Sequence, residues 1–396
     1  MPDGRARYRP TPRTTGAGRR LAVRRRVGLA VLILTLTAGC GGATVKKTAQ
    51  TVPSGKPSVA SVRYAAELGG LDKLVAPAQK EGVLNLIGVA ESWANYGELV
   101  AAFEKKYGIV VHLQQPDASS IAELAAAKAL AGTDRTPDVF DLSASVAAAN
   151  PGRLAQYRVT TWGDIPDAAK ESSGRYVGGY GGYMSIGYDA KRVPAPKSLA
   201  DLLSPAYRGK VAINGDPTRT SAGLYAVAMA ALGNGGSADD VGPGVDYFAR
   251  LRQDGNLTDT RPTKATIAAG DTSVVVDWDY TNAQRAAVLS GVDWRVMIPQ
   301  RAVVASYWVQ AISVDAPHPA AARLWQEFLY SDVGQGIWLR GLLRPVRAAA
   351  MQTAGTLDTG AYHRLPAIQG SAVILTPPQL AKAQEYVSQH WSKSVG

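Results

Sequence analysis

Between residues 83 and 142, apolar runs of strand length alternate with stretches of helical spacing. This order constrains the fold more than any other feature of the chain. Val83-Leu84-Asn85-Leu86-Ile87-Gly88-Val89 is a short apolar run with β-branched ends. Leu99, Val100, Phe103 and Tyr107 then recur at helical spacing within 96–107. A strand-like run at 109–113, an Ala-rich helix at 119–130 and a third strand-like run at 138–142 follow. A β-α-β-α-β order predicts parallel strands with helices on both faces. Ligands of such sheets bind beyond the carboxyl ends of the strands. The segments after Val89, Leu113 and Leu142 are therefore the ones to watch.

A second unit has the same character. It reads as a strand at 209–213, helices at 221–232 and 246–252, and a strand at 273–276, with a Gly/Asp-rich surface loop at 233–244. Extended stretches at 183–188 and 303–314 flank it and are expected to be the crossing strands of a hinge. The helix at 320–330 then returns to the first unit. No internal repeat is evident. About 330 residues exceed one comfortable core, so two lobes are expected. The first lobe is predicted at 62–186 with a return segment at 305–341, and the second at 187–304. A C-terminal helical segment, 342–396, is predicted to pack across both.

The formal charge of +11 suggests a nucleic-acid binder until it is located. Residues 1–39 hold nine arginines and one acid, Asp3, which leaves +3 for the rest. A nearly neutral body does not support a nucleic-acid footprint. Arg19, Arg20 and Arg24 to Arg26 precede the apolar run 27–36, which ends in Leu36-Thr37-Ala38-Gly39-Cys40. About ten apolar residues are too few for a permanent membrane span, which needs about 20. The stretch reads as a cleaved signal, 1–39. Cys40, the single cysteine, resembles a bacterial lipobox cysteine. Diacylation there would hold the exported protein at the outer face of the cell membrane. Residues 40–61, rich in Thr, Lys, Pro and Ser, read as a flexible tether. No thiol then remains for a disulfide or a thiolate metal site.

Two later segments carry a family resemblance. Ser198-Leu199-Ala200-Asp201-Leu202-Leu203-Ser204-Pro205-Ala206-Tyr207-Arg208-Gly209-Lys210-Val211 is one. The other runs from Tyr307-Trp308-Val309-Gln310 through Pro317-His318-Pro319 to Ser331-Asp332-Val333-Gly334-Gln335. Both resemble the extracellular solute-binding proteins of bacterial ABC importers, over roughly residues 66–350. The resemblance implies a two-lobed class II periplasmic-binding-protein fold of α/β class. Each lobe is then a mostly parallel sheet flanked by helices, hinged by two crossing strands. It also implies a monomer with ABC permease and ATPase subunits as partners, no cofactor and no enzymatic activity. Within the superfamily the chain is most similar to the spermidine/putrescine-binding group, with iron and phosphonate binders nearby.

The resemblance points to an amine. Trp93-Ala94-Asn95-Tyr96 matches that group's Trp-x-x-Tyr pair, and an aromatic face attracts an ammonium by about 0.5–2 kcal/mol. The alternative is that both rings staple a helix to the sheet. In Asp277-Trp278-Asp279-Tyr280 a Trp stands next to Asp279, where polyamine binders place the acid further on. Asp216 matches one acid of a polyamine grip, but Arg219 stands where a second acid is expected. With Thr220 or Ser221 capping a helix, Arg219 suits an anion instead. Acids with one arginine suit a zwitterion such as an aminophosphonate. Ser143 and Ser145 are candidate donors or helix caps, and Glu91 and Asp117, which end strands, are candidates to face the ligand. Tyr307 and Trp308 must point to opposite faces of a strand, so one of them is expected to reach the cleft.

Catalysis has little support, since the chain lacks G-x-S-x-G, H-E-x-x-H and P-loop motifs. The four histidines are scattered without metal spacing. A ferric site has only Tyr180 and Tyr183 to offer, three apart in a Gly-rich stretch that reads as flexible backbone. A surface sensor or scaffold lipoprotein remains the alternative of a different class.

Overall fold

The computed structural model describes residues 58–396. The signal peptide, Cys40 and nearly all of the tether lie outside the described residues. In the first unit, helix α1 (Asp72–Glu81) precedes strand β1 (Val83–Ile87), α2 (Tyr96–Tyr107), β2 (Val110–Gln114), α3 (Ser120–Ala129), β3 (Val139–Ser143) and α4 (Ala144–Ala149). Apart from Asn85, whose amide donates to Asp134 O and Thr136 O, β1 is apolar because it lies between two parallel neighbours: Leu86 is opposite Leu113 of β2 and Val139 of β3. Leu84, Leu86 and Ile87 are fully buried. Strands buried on both faces read as continuous apolar runs, so the sequence pattern and the pairing agree.

The short β4 (Leu154–Ala155) leads to β5 (Tyr176–Asp189), the longest strand. The second unit then contains β6 (Val211–Ile213), α5 (Ser221–Gly233), α6 (Gly242–Gln253), α7 (Lys264–Ala269), β7 (Val274–Trp278), α8 (Asp279–Val288) and β8 (Trp294–Met297). The chain returns through β9 (Val304–Ser313), α9 (Pro319–Leu329), α10 (Asp332–Arg340) and β10 (Arg344–Pro345). It ends with α11 (Ala348–Ala354), α12 (Thr359–His363), β11 (Val373–Ile374) and α13 (Pro377–Ser394).

The principal strand order is β2-β1-β3-β9-β5-β7-β6. β9 is antiparallel to β3 and to the Tyr176–Tyr183 part of β5. The Met184–Asp189 part of β5 instead pairs antiparallel with β7 on one side and β8 on the other. One strand therefore runs through both sheets. The second sheet is mixed, with β6 parallel to β7.

The Gly-rich stretch at 178–182 is strand, not flexible backbone. Its glycines admit rings: a Cβ at Gly181 would lie 2.6 Å from Tyr307 Cε1, and one at Gly182 would lie 2.6 Å from Tyr280 Cε1. Glycine inside a strand commonly marks this kind of close approach.

Every residue of α9 after Pro319 is buried, with Trp325 and Phe328 packed on Phe103 of α2. Its two internal charges are satisfied. Arg323 donates to Ala60 O and Val62 O, and Glu327 accepts from the Tyr157 hydroxyl and Thr160 N–H. The C-terminal helix α13 is tied to the second unit by Gln384 to Thr218 O (3.0 Å), by Gln379 to Asp239 and by Trp391 against Phe248. It also packs against α4 of the first.

Candidate functional site

A cavity of about 530 Å3 lies beyond the carboxyl ends of β1, β3 and β7, where a parallel arrangement places ligands. Both sheets contribute to its aromatic wall. Trp93 meets Trp308 edge-on at 5.5 Å. Trp308 also lies beside the Tyr280 hydroxyl. Tyr280 lies parallel to Trp278, interplanar angle 4° at 6.4 Å, and Trp278 packs at 5.1 Å on Tyr225 of α5.

The floor is acidic. Asp141, on β3, and Glu123, on α3, both border the cavity and are each 1% exposed. The Tyr96 hydroxyl donates to Asp141 Oδ2, with the Tyr180 hydroxyl at 3.4 Å from the same atom. Asp141 Oδ1 is buried without a partner. The Asp141 backbone N–H donates to Glu123 Oε2 at 3.2 Å. Burial pushes the Asp141 carboxyl up to about 7, against the opposing hydrogen bonds from Tyr96, Gln310 and Tyr180. Burial first, and the Asp141 charge second, push Glu123 up to about 9.

The mouth is polar. The first turns of α3 and α5 border it, capped by Ser119, which accepts from Ala122 N–H, and Thr220, which accepts from Gly223 N–H. Ser143 and Ser145 stand beside them, their hydroxyls 3.4 Å apart. Ser143 precedes α4 but makes no side-chain cap. Arg219 completes this side, with its side chain 84% exposed and 3.7 Å from Asp216.

Eight expected residues thus meet at one cavity: Trp93, Ser143, Ser145, Arg219, Trp278, Tyr280, Tyr307 and Trp308. Only one of Tyr307 and Trp308 was expected at the cleft, yet both border it: Trp308 meets Trp93, and the Tyr307 ring, packed over Gly178 and Gly181, still reaches the cavity edge.

Four others lie elsewhere. Glu91 is exposed and does not border the cavity. Tyr96 is fully buried behind Asp141 and not beside Trp93. The reason is local: Ala94 and Asn95 adopt left-handed backbone, φ 47° and 59°, so helical spacing does not connect the two rings. Asp216 accepts from Thr218 N–H and Oγ1 in an exposed turn. Asp279 faces away, accepting from Tyr183 N–H at 2.8 Å and from Arg344 Nε at 3.1 Å. Trp278 ends β7 and Asp279 begins α8, so no loop separates them. Of the weaker candidates, Asp117 is exposed and Tyr183 lies under the Arg344 guanidinium.

The sequence reading missed Asp141, Glu123 and Tyr225, and also Leu380 and Gln384, which α13 adds to the cavity wall. A signal for Asp141 was present. It is a lone carboxylate in the apolar strand Val139-Phe140-Asp141-Leu142, a costly position without a purpose. Among the described residues no group of three or more His, Cys, Asp or Glu is placed to hold a metal.

A family model described as bacterial extracellular solute-binding protein matches residues 134–365. A search of curated proteins finds no match. Among solved structures, the chain resembles a putative extracellular solute-binding protein from Bordetella parapertussis (17% identity, 80% of this chain and 100% of that one, TM-score 0.62). It also resembles iron-bound HitA from Pseudomonas aeruginosa (20%, 79% and 99%, 0.58). A third is the periplasmic binding protein AfuA from Actinobacillus pleuropneumoniae with fructose-6-phosphate bound (17%, 79% and 98%, 0.58). These likenesses establish the two-lobed α/β binding-protein fold.

Proposed function

Because the chain belongs to the bacterial extracellular solute-binding proteins, we propose that its cavity captures a small solute carrying a protonated amine, a polyamine first among them. Closure of the two lobes about the strands they share would then present the solute to an ABC permease. The observation that carries the reading is Asp141 Oδ1, a buried carboxylate oxygen without a partner, at the floor of a cavity walled by Trp93, Trp278, Tyr280 and Trp308. An ammonium would give that oxygen a charge-assisted hydrogen bond, about 1.5–3 kcal/mol. The rings would add about 0.5–2 kcal/mol and cover the methylenes of an alkylamine.

A second reading is favoured by the mouth. Arg219, Ser143, Ser145 and the first turns of α3 and α5 suit an anionic group. A zwitterion would place its amine on Asp141 and its acid there. The hydroxyls of Tyr96 and Tyr180 are engaged by Asp141, which favours an amine over a ferric ion. A lipid anchor on Cys40 is part of the proposal and rests on the sequence around that residue.

The test is thermal unfolding of the chain against putrescine, spermidine, amino acids, aminoethylphosphonate, thiamine and ferric citrate. A ligand at about 100 times its Kd stabilises by about 2.7 kcal/mol. A midpoint raised by an amine and no longer raised in Asp141→Asn supports the reading. A shift with ferric citrate alone, or an amine shift that survives Asp141→Asn, overturns it.

A further inference from the structure

We infer that Glu123 holds a proton beside the Asp141 carboxylate in the empty cavity, and that the arriving solute cation displaces it, so that the floor exchanges one proton for one positive charge. The inference rests on the amine reading for the identity of the cation, but not for the proton itself.

The geometry places two carboxyls together with no countercharge. Glu123 and Asp141 are each 1% exposed and are linked through the Asp141 N–H. Glu123 is also held in place: its carboxyl lies against Gly88, where a side chain on the glycine would collide with it. The groups that face the pair are neutral. They are the hydroxyls of Tyr96 from α2, Tyr180 from β5 and Tyr280 from α8, the Gln310 amide from β9, and Tyr330 after α9. The cavity's arginine, Arg219, is exposed and paired with Asp216. Arg285 and Arg344 are committed to Asp277 and Asp279, the acids on either side of Trp278 in sequence.

Two carboxylates sharing a low-dielectric site cannot both ionise, so one proton stays. An ammonium at Asp141 Oδ1 supplies the missing charge. The retained proton then leaves to solvent, and the net charge of the floor is unchanged. A neutral solute gives no such compensation and would leave the proton in place. Glu123 is thus a specificity-determining residue that favours the cation over its neutral isosteres and makes cation affinity fall in acid. Burial raises both carboxyls above the usual carboxylate range, which sets the pH window at and above neutrality.

Two measurements on the full chain test the inference. The first needs no ligand: urea unfolding from pH 5 to 9. The folded chain binds more protons than the unfolded one in that window, so stability is fully present at low pH and is lost as pH rises through the folded-state values. Glu123→Gln should flatten this loss, and Asp141→Asn, in which a single carboxyl remains, should also flatten it. Equal slopes in wild type and both variants overturn the stored proton.

The second is calorimetry with putrescine in phosphate and Tris buffers. Near pH 7.5 about one proton should be released per amine bound, and the amount should fall in Glu123→Gln. Affinity should weaken by up to about tenfold per pH unit on acidification, one pH unit being 1.36 kcal/mol. Binding without proton release overturns the exchange. If neither putrescine nor spermidine binds while the slope difference persists, the amine reading falls and the proton on Glu123 stands.

Discussion

The buried pair Arg344–Asp279 offers the sharpest test of where this chain keeps its structural charges and where its functional ones. Their side chains are 10% and 2% exposed, with Nε 3.1 Å from Oδ2. Arg344 also lies over the Tyr183 ring at 5.1 Å. Arg344→Met keeps most of the apolar stem and removes the charge, leaving the Asp279 carboxylate buried with the Tyr183 N–H as its remaining partner outside its own helix turn. Breaking a buried ion pair from one side costs about 3–5 kcal/mol, because a buried charge loses its compensation. About 340 residues at about 2.1 cal/mol/K each give an unfolding entropy near 0.7 kcal/mol/K, so the midpoint should fall by about 4–7 °C. Adding Asp279→Asn removes the stranded charge, and the double variant should recover more than half of the loss. Urea and thermal unfolding followed by tryptophan fluorescence measure both. Asp279→Asn alone should retain solute affinity within about threefold. The reasoning is refuted if Arg344→Met costs less than about 1 kcal/mol. It is equally refuted if Asp279→Asn abolishes binding in a protein of unchanged stability, which would return Asp279 to the ligand.

Two further outcomes are expected. Trp278→Ala should weaken amine binding about tenfold or more, as loss of a desolvated cation–π partner does. Since Trp278 is 6% exposed between Tyr225 and Tyr280, it should also destabilise by about 3–5 kcal/mol; titration at low temperature on folded protein separates the effects, and affinity within twofold of wild type removes Trp278 from the site. Cys40→Ser should abolish metabolic labelling with palmitate and move the protein from the membrane to the soluble fraction; labelling that persists rules out that anchor.

Much of the architecture was legible because it is written locally. The apolar run at 83–89, the spacing of Leu99, Val100, Phe103 and Tyr107, and the run at 138–142 led to β1, α2 and β3 within one or two residues. Apolar periodicity reports burial, and burial fixes which face of an element turns inward. The crossing strand β5 was only half seen. Its glycines suggest a loop by propensity, yet they are needed for the rings of Tyr280 and Tyr307, which come from segments about 100 residues away. Helix α10 was not anticipated; it holds two glycines in nine residues, and packing against α2 and α9 outweighs that low propensity.

Residue types in the site were legible where a local segment ends at the cavity, as with Trp93, Ser143, Ser145, Arg219, Trp278 and Trp308. What the sequence by itself determined is the order of strands and helices, a nearly neutral body behind a basic leader, and an aromatic-rich set of segments at strand ends. Only the tertiary structure decided which acids face the cavity. Asp279 and Asp216 have the expected neighbours in sequence, but Arg344, Tyr183 N–H and Thr218 satisfy them elsewhere. Asp141 is hidden in an apolar strand, yet it alone of these three keeps a buried oxygen without a partner. A carboxylate's role depends on which donors reach it. Those donors come from distant parts of the chain, so the assignment waits on the fold.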